Sequence, residues 1–186
     1  MISCFKGTFK VTSPRGNRVL NGANEYHGGM DLVAMGNDKN VYAIANGVVD
    51  ATPYEANGFG YYVRQILPDG TRIYYGHLAK GSLKVKKGQK IKVGDKLGAM
   101  GSTGNSTGAH THIEWRVKGT SKESLDISEF TGIPNKKGTY SADITPEEAK
   151  KKIQQKCGLE KQTMDFLSGY TYANDLFLKL WKAMEG

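Results

Sequence analysis

The chain has 186 residues, of which 38% are apolar and 24% charged, with a formal net charge of +8. This length supports one domain with a real core, or one domain and a small appendage, and the composition is that of an ordinary folded chain. No stretch approaches the roughly 18 apolar residues of a membrane span, so membrane insertion is not expected.

In chain order, the N-terminus MISCFKGTFKVTSP carries lysines but no apolar core with a small-residue cleavage site. Synthesis in the cytoplasm without a secretory signal is therefore expected. Cys4 and Cys157 match no metal-ligand spacing and are expected as two reduced thiols. Alternating or β-branched runs follow at Phe9–Thr12, Val41–Ala45, Gly47–Ala51, Tyr61–Leu67, Arg72–Tyr75 and His112–Val117. Turn pairs such as Asn46-Gly47, Asn57-Gly58 and Asp69-Gly70 separate them, and Asp69-Gly70 predicts a hairpin. The fold class read from this is mainly β, an antiparallel sheet rich in loops. Residues 119–144 are mixed and polar, and the period then changes. Thr145-Pro146-Glu147-Glu148 predicts a helix start, with Thr145 as N-cap and Glu148 completing a capping box. That helix ends near Gly158, a second covers Lys161–Leu167, and a third runs over Ala173–Met184. In the third, Leu176, Phe177, Leu180, Trp181 and Met184 form one apolar stripe. The expected division is a β domain over 1–130, a linker over 131–144 and a small helical segment over 145–186. The last is short for independent stability and is expected to pack on the β domain or on a partner.

Residues 1–120 hold 16 Lys+Arg against 8 Asp+Glu, whereas 121–186 hold 10 of each. A basic domain favours an anionic partner such as nucleic acid, a membrane surface or a polyanionic wall. The lysines Lys84, Lys86, Lys87, Lys90, Lys92 and Lys96 read first as a solvated strand face.

The chain has four histidines, each in a suggestive place. His27 and Asp31 lie four apart with Gly28-Gly29 between them, which argues for a tight turn rather than a helix. His110 and His112 flank Thr111 before a strand-like run, where residues i and i+2 share a face. Glu114 shares that face, either behind a metal ligand or in a surface ion pair. His77 lies at the end of the predicted strand, just past Arg72–Tyr75, in Tyr74-Tyr75-Gly76-His77-Leu78. A catalytic zinc ion takes three protein ligands and keeps a fourth position for water, and a further histidine can take that water's proton. Four histidines and one aspartate cover these roles.

The order H-x-x-x-D, then H, then H-x-H resembles that of the lysostaphin-like (LytM-type, M23) peptidases. The similarity rests on Tyr26–Leu32, on Gly76-His77-Leu78 and on Gly101–Glu114 with its Gly-Ser-Thr-Gly and His-Thr-His elements, and spans about residues 8–118. The resemblance implies a lysostaphin-type antiparallel β core and one zinc ion held by His27, Asp31 and His112. His77 and His110 would be the catalytic histidines that bind no metal. His110 is the candidate general base and His77 orients or stabilises the tetrahedral intermediate, and these two roles are interchangeable on sequence grounds. It also implies a monomeric endopeptidase acting on peptidoglycan cross-bridges or stem peptides. The absence of an export signal adds the expectation of a phage or prophage lysin that reaches the wall after release.

The loops Tyr54–Tyr62 and Leu78–Lys87 are expected to line the groove, with Tyr61, Tyr74 and Tyr75 as candidate substrate contacts. A non-catalytic wall binder or activator of wall hydrolases is the alternative. Lys86–Gly98 resembles the half-barrel turn of biotinyl carriers but offers no attachment lysine. A cupin-like centre would leave His27–Asp31 without a purpose. A nucleic-acid-binding module lacks any zinc-finger, helix-turn-helix or RNP pattern, so no nucleic acid partner is expected.

Overall fold

Strong alternation of core and non-core side chains organises the chain into a sheet, seen here in a computed structural model that describes residues 1–20, 22–118, 123–142, 146–169 and 173–185. The strands are β1 (Thr8–Ser13), β2 (Gly16–Leu20), β3 (Ala23–His27), β4 (Met30–Ala34), β5 (Asn40–Tyr42), β6 (Gly47–Ala51), β7 (Tyr54–Glu55), β8 (Gly60–Ile66), β9 (Arg72–Leu78), β10 (Lys90–Ile91), β11 (Lys96–Ala99), β12 (Thr111–Arg116), β13 (Ser124–Leu125) and β14 (Gly138–Ser141). The main sheet runs β10-β6-β8-β9-β12-β4-β1-β14, with β13 added to β12 and β7 to β8. Every pairing is antiparallel. Two small ribbons, β2–β3 and β5–β11, complete the β structure. The predicted hairpin forms between β8 and β9, with Gly70 at φ +86°.

The chain divides into two units, Met1–Ala142 and Asp143–Gly186. The core of the first gathers Phe9 and Val11 of β1, Met30 and Leu32 of β4, Ile73 and Tyr75 of β9, and Ile113 of β12. Residues 131–142 correct the expected linker. β14 pairs with β1 in the register Phe9↔Tyr140, and Ile133 is buried in the core. A short helix α1 (Ile127–Thr131), N-capped by Asp126, precedes it. This segment satisfies the outer edge of β1, which would otherwise leave a row of unpaired backbone groups.

The second unit contains α2 (Pro146–Cys157), α3 (Lys161–Ser168) and α4 (Ala173–Glu185). Pro146 opens α2 as expected, while Thr145 and the side chain of Glu148 lie outside the described residues. Ala149, Ile153, Met164, Phe177 and Trp181 form its core, with Met184 packed against them. Leu180, expected within the apolar stripe, is 38% exposed. Cys4 is buried and Cys157 exposed, both as free thiols.

Candidate metal centre

Strand alternation decides which side chains reach the site. In β12, Ile113 enters the core, so His112 and Glu114 face the other way; in β4, Met30 and Leu32 enter the core, so Asp31 does the same. The register places His112 opposite Asp31 on one side and opposite Gly76 on the other. His27 comes from the end of β3, and Gly28-Gly29 turns the chain into β4. A Cβ on Gly29 would collide with the Ile113 carbonyl and stand 2.8 Å from His112 Nε2, so only glycine lets the turn approach β12.

His77 breaks the alternation of β9. It lies two residues beyond the core residue Tyr75, so a regular strand would turn it inward. Instead His77 adopts φ +59°, and the β8–β9 register shifts between Tyr61 and Val63. Leu78 thereby takes the core position and His77 joins the site. Such a backbone costs of order 1–3 kcal/mol in a non-glycine residue and concentrates at functional sites.

Three buried atoms converge: His27 Nε2, Asp31 Oδ1 and His112 Nδ1. Their separations are 3.1 Å between His27 and Asp31, 3.0 Å between His27 and His112, and 2.9 Å between His112 and Asp31. Their outer partners fix the tautomers. His27 Nδ1 donates to the Pro14 carbonyl at 2.8 Å, and His112 Nε2 donates to Glu114 Oε2 at 3.1 Å. Arg18 donates to Asp31 Oδ2 at 3.1 Å, which leaves Oδ1 for the centre. In the neutral rings the inward atoms are therefore three bare lone pairs, which repel one another unless a cation stands among them.

Burial acts to lower the His112 pKa, but hydrogen bonds with Asp31 and Glu114 overcome it and raise the value to about 9. Burial acts to raise that of Asp31, but the bonds with His112 and His27 hold it well below the usual carboxylate range. Ligands around a tetrahedral zinc ion at ~2.0–2.1 Å stand about 3.3 Å apart, so this triangle fits such an ion with a slight opening. The structure thus brings His27, Asp31 and His112 together as three groups that could hold a metal ion.

The other two histidines border this centre. His110 Nδ1 donates to the Gly108 carbonyl at 2.8 Å, and its Nε2 lies 3.5 Å from Asp31 Oδ1. His77 Nδ1 donates to the Thr103 carbonyl at 2.8 Å, and its ring centroid is 4.6 Å from that of His110. Burial lowers the His77 pKa to about 4, aided by the nearby His110 and His112. The neutral His77 ring, with Nδ1–H committed to Thr103, thus presents Nε2 as a proton acceptor.

Sequence reasoning missed several supporting residues. Arg18 holds Asp31, Thr103 holds His77, and Arg116 donates to Glu114 Oε1 at 2.7 Å. Arg18 and Thr103 have no local signal, because their partners lie 13 and 26 residues away, whereas Arg116 shares a strand face with Glu114 two residues before it. Among the tyrosines, Tyr75 is fully buried with its hydroxyl donating to Gln65, so it makes no substrate contact. Tyr74 stands on the site face beneath the Arg116 guanidinium, 4.5 Å from its ring centroid.

Residues 25–124 match peptidase family M23, and the chain belongs to that family. It is 34% identical over 116 residues to the peptidoglycan DD-endopeptidase ShyC of Vibrio cholerae, covering 62% of this chain and 26% of that protein. It is 35% identical over 96 residues to the glycyl-glycine endopeptidase ALE-1 of Staphylococcus capitis, covering 51% and 25%. The chain thus spans about a quarter of the length of these curated relatives. Among solved structures, the catalytic domain of the prophage-encoded M23 protein EnpA from Enterococcus faecalis superposes with a TM-score of 0.57 at 31% identity. That match covers 67% of this chain and 93% of the domain. The expected lysostaphin-type β fold is borne out.

Proposed function

We propose that this chain is a zinc-dependent endopeptidase that hydrolyses peptide bonds in bacterial peptidoglycan. The observation that carries the reading is the convergence of three lone pairs on one buried point, each aimed there by a partner outside the centre. His27, Asp31 and His112 would hold the ion. When bound, zinc supplies Lewis-acid polarisation of a carbonyl and acidifies a water towards neutrality.

The remaining steps fall to the chain itself. His110 accepts the proton of the attacking water at Nε2, because its Nδ1–H is committed to Gly108. His77, neutral and fixed through Nδ1, orients the water by accepting at Nε2. The proton then passes to the leaving nitrogen. The C–N bond breaks, the water oxygen joins the acyl carbon, and with the second water proton also passed to nitrogen a carboxylate and an ammonium group result. The endopeptidase names of ShyC and ALE-1 support this substrate class.

The test is digestion of purified peptidoglycan, glycine-bridged and directly cross-linked, with new amino groups and fragment masses followed over time. New amino termini that disappear with chelator, return with zinc and are absent in His112→Ala are expected. Wall binding without new amino termini in the zinc-loaded protein would replace this reading with that of a non-catalytic binder.

A further inference from the structure

A cleft of about 540 Å³ opens beside the metal centre, lined by Arg15, Tyr26, Gly28, Glu114, Arg116 and Ser124, with Glu123 at its exposed edge. It begins one side chain away from the ligands. Glu114 accepts from His112, and a Cβ on Gly28 would stand 2.8 Å from Glu114 Oε1 and 3.3 Å from Ser124 Oγ. Arg15 directly follows Pro14, whose carbonyl holds His27. The cleft and the centre therefore share their framework.

Its two arginines differ in how they are used. Arg116 is committed, donating to Glu114 at 2.7 Å and stacking over Tyr74. Arg15 has no carboxylate partner among the described residues. Its Nη2 donates to the Ser124 carbonyl at 2.9 Å and to Ser124 Oγ at 3.4 Å, and its guanidinium lies 5.3 Å from the Tyr26 ring centroid. Its Nε is shut off from solvent without an acceptor, and its Nη1 has none among the described residues. A guanidinium fixed by a backbone carbonyl and an aromatic face, with Nη1 left to donate, is placed to receive a carboxylate oxygen through a charge-assisted hydrogen bond. None of the hydrolytic steps uses it.

We propose that Arg15 and this cleft form a carboxylate subsite, selecting cross-links in which a residue beside the scissile bond carries a free carboxylate. This rests on the peptidoglycan-endopeptidase reading and names the substrate class within it. A bridge made only of glycine offers no such group. A stem peptide joined directly through diaminopimelate does, and its carboxamide form differs by one charge and one acceptor. Charge-assisted hydrogen bonds of this kind are worth about a tenfold to hundredfold preference.

The test uses the full zinc-loaded chain and two soluble peptide dimers cross-linked through diaminopimelate, identical except for a free carboxylate or a carboxamide beside the scissile bond. Cleavage and equilibrium binding are both measured, with pentaglycine as a third probe. The expected result is kcat/KM about 10-fold or more higher for the carboxylate dimer. That ratio falls towards one in Arg15→Gln and is partly kept in Arg15→Lys, whose charge remains without the anchoring to Ser124. Because the ratio is taken within each variant, a loss of folded protein cancels. If Arg15→Gln does not fold, the parent's own ratio still decides. Equal cleavage of the two dimers, an unchanged ratio in Arg15→Gln, or cleavage of pentaglycine alone overturns the subsite and leaves the endopeptidase standing. Binding with the carboxylate preference but no cleavage of any probe supports the subsite and overturns the catalytic reading.

Discussion

Replacing Glu114 by glutamine tests the fixing of the metal ligand most directly. The carboxylate is buried at 4% exposure, and two donors use it: His112 Nε2 at 3.1 Å on one oxygen, and Arg116 Nε at 2.7 Å on the other. Burial acts to raise its pKa, but the bonds from His112 and Arg116 hold it low, so it is ionised. Glutamine keeps the shape but turns one of the two acceptors into a donor. Its oxygen stays with the charged Arg116, the stronger partner, and its NH2 group meets His112. The imidazole must then leave Nε2–H facing another donor, or move its proton to Nδ1 and close that atom to a metal. A buried donor without an acceptor costs about 1–3 kcal/mol. That agrees with the roughly 10- to 100-fold loss of metal affinity typical of such outer partners, about 1.4–2.7 kcal/mol. Zinc affinity, read by competition with a chromogenic chelator, should therefore fall by about this factor while the apo protein stays folded. An affinity within about twofold of the parent would refute the claim that Glu114 sets the His112 tautomer.

Four further outcomes follow from the same geometry. Zinc at a hundred times its Kd should stabilise the protein by about 2.7 kcal/mol, raising the melting temperature by roughly 5–10 °C, with chelator reversing the shift; no shift would count against the three-ligand site. Gly29→Ala forces a Cβ against the Ile113 carbonyl and should destabilise by about 1–3 kcal/mol with loss of zinc binding, measured by denaturant unfolding and metal content. Thr103→Val removes the hydroxyl that donates to the Leu78 carbonyl at 2.7 Å and accepts from the Tyr61 amide at 3.0 Å. Freed from these anchors, the carbonyl under His77 shifts, and kcat should fall by about 10²-fold with Thr103→Ser near the parent; equal loss in both variants would reject the anchoring role. Burial acts to raise the Asp50 pKa, but the bond from Arg72 and the charge of Arg64 hold it below the usual range. The stability it contributes is full above the unfolded pKa of about 3.9 and is lost as pH falls through the lower folded value. Asp50→Asn should thus lower stability by about 0–1 kcal/mol at pH 7 after solvent screening, and by less at pH 3, as thermal melts at the two pH values would show.

The sequence by itself determined a good deal. Alternation and turn pairs set the β character of the first unit, and the change to a 3.6-residue period set the three helices, whose observed bounds at Pro146–Cys157, Lys161–Ser168 and Ala173–Glu185 follow the expected ones closely. The spacing of His27 and Asp31, and of His110 and His112, marked the candidate metal site because those pairs are local, within one turn or one strand. What tertiary structure decided is everything that depends on which strands pair. Local propensity does not encode that β12 lies between β4 and β9, yet only this register sets Asp31 beside His112 and brings His77 to the same face. Alternation alone would have sent His77 into the core, and a left-handed backbone held by the surrounding sheet reverses it. Residues 131–142 likewise read as a polar linker, because the edge of β1 that β14 completes lies more than a hundred residues away in the chain. Arg15, Arg18 and Thr103 are ordinary loop and strand residues in sequence. Their roles arise from hydrogen bonds to Ser124, Asp31 and His77, contacts that exist only once the sheet has closed.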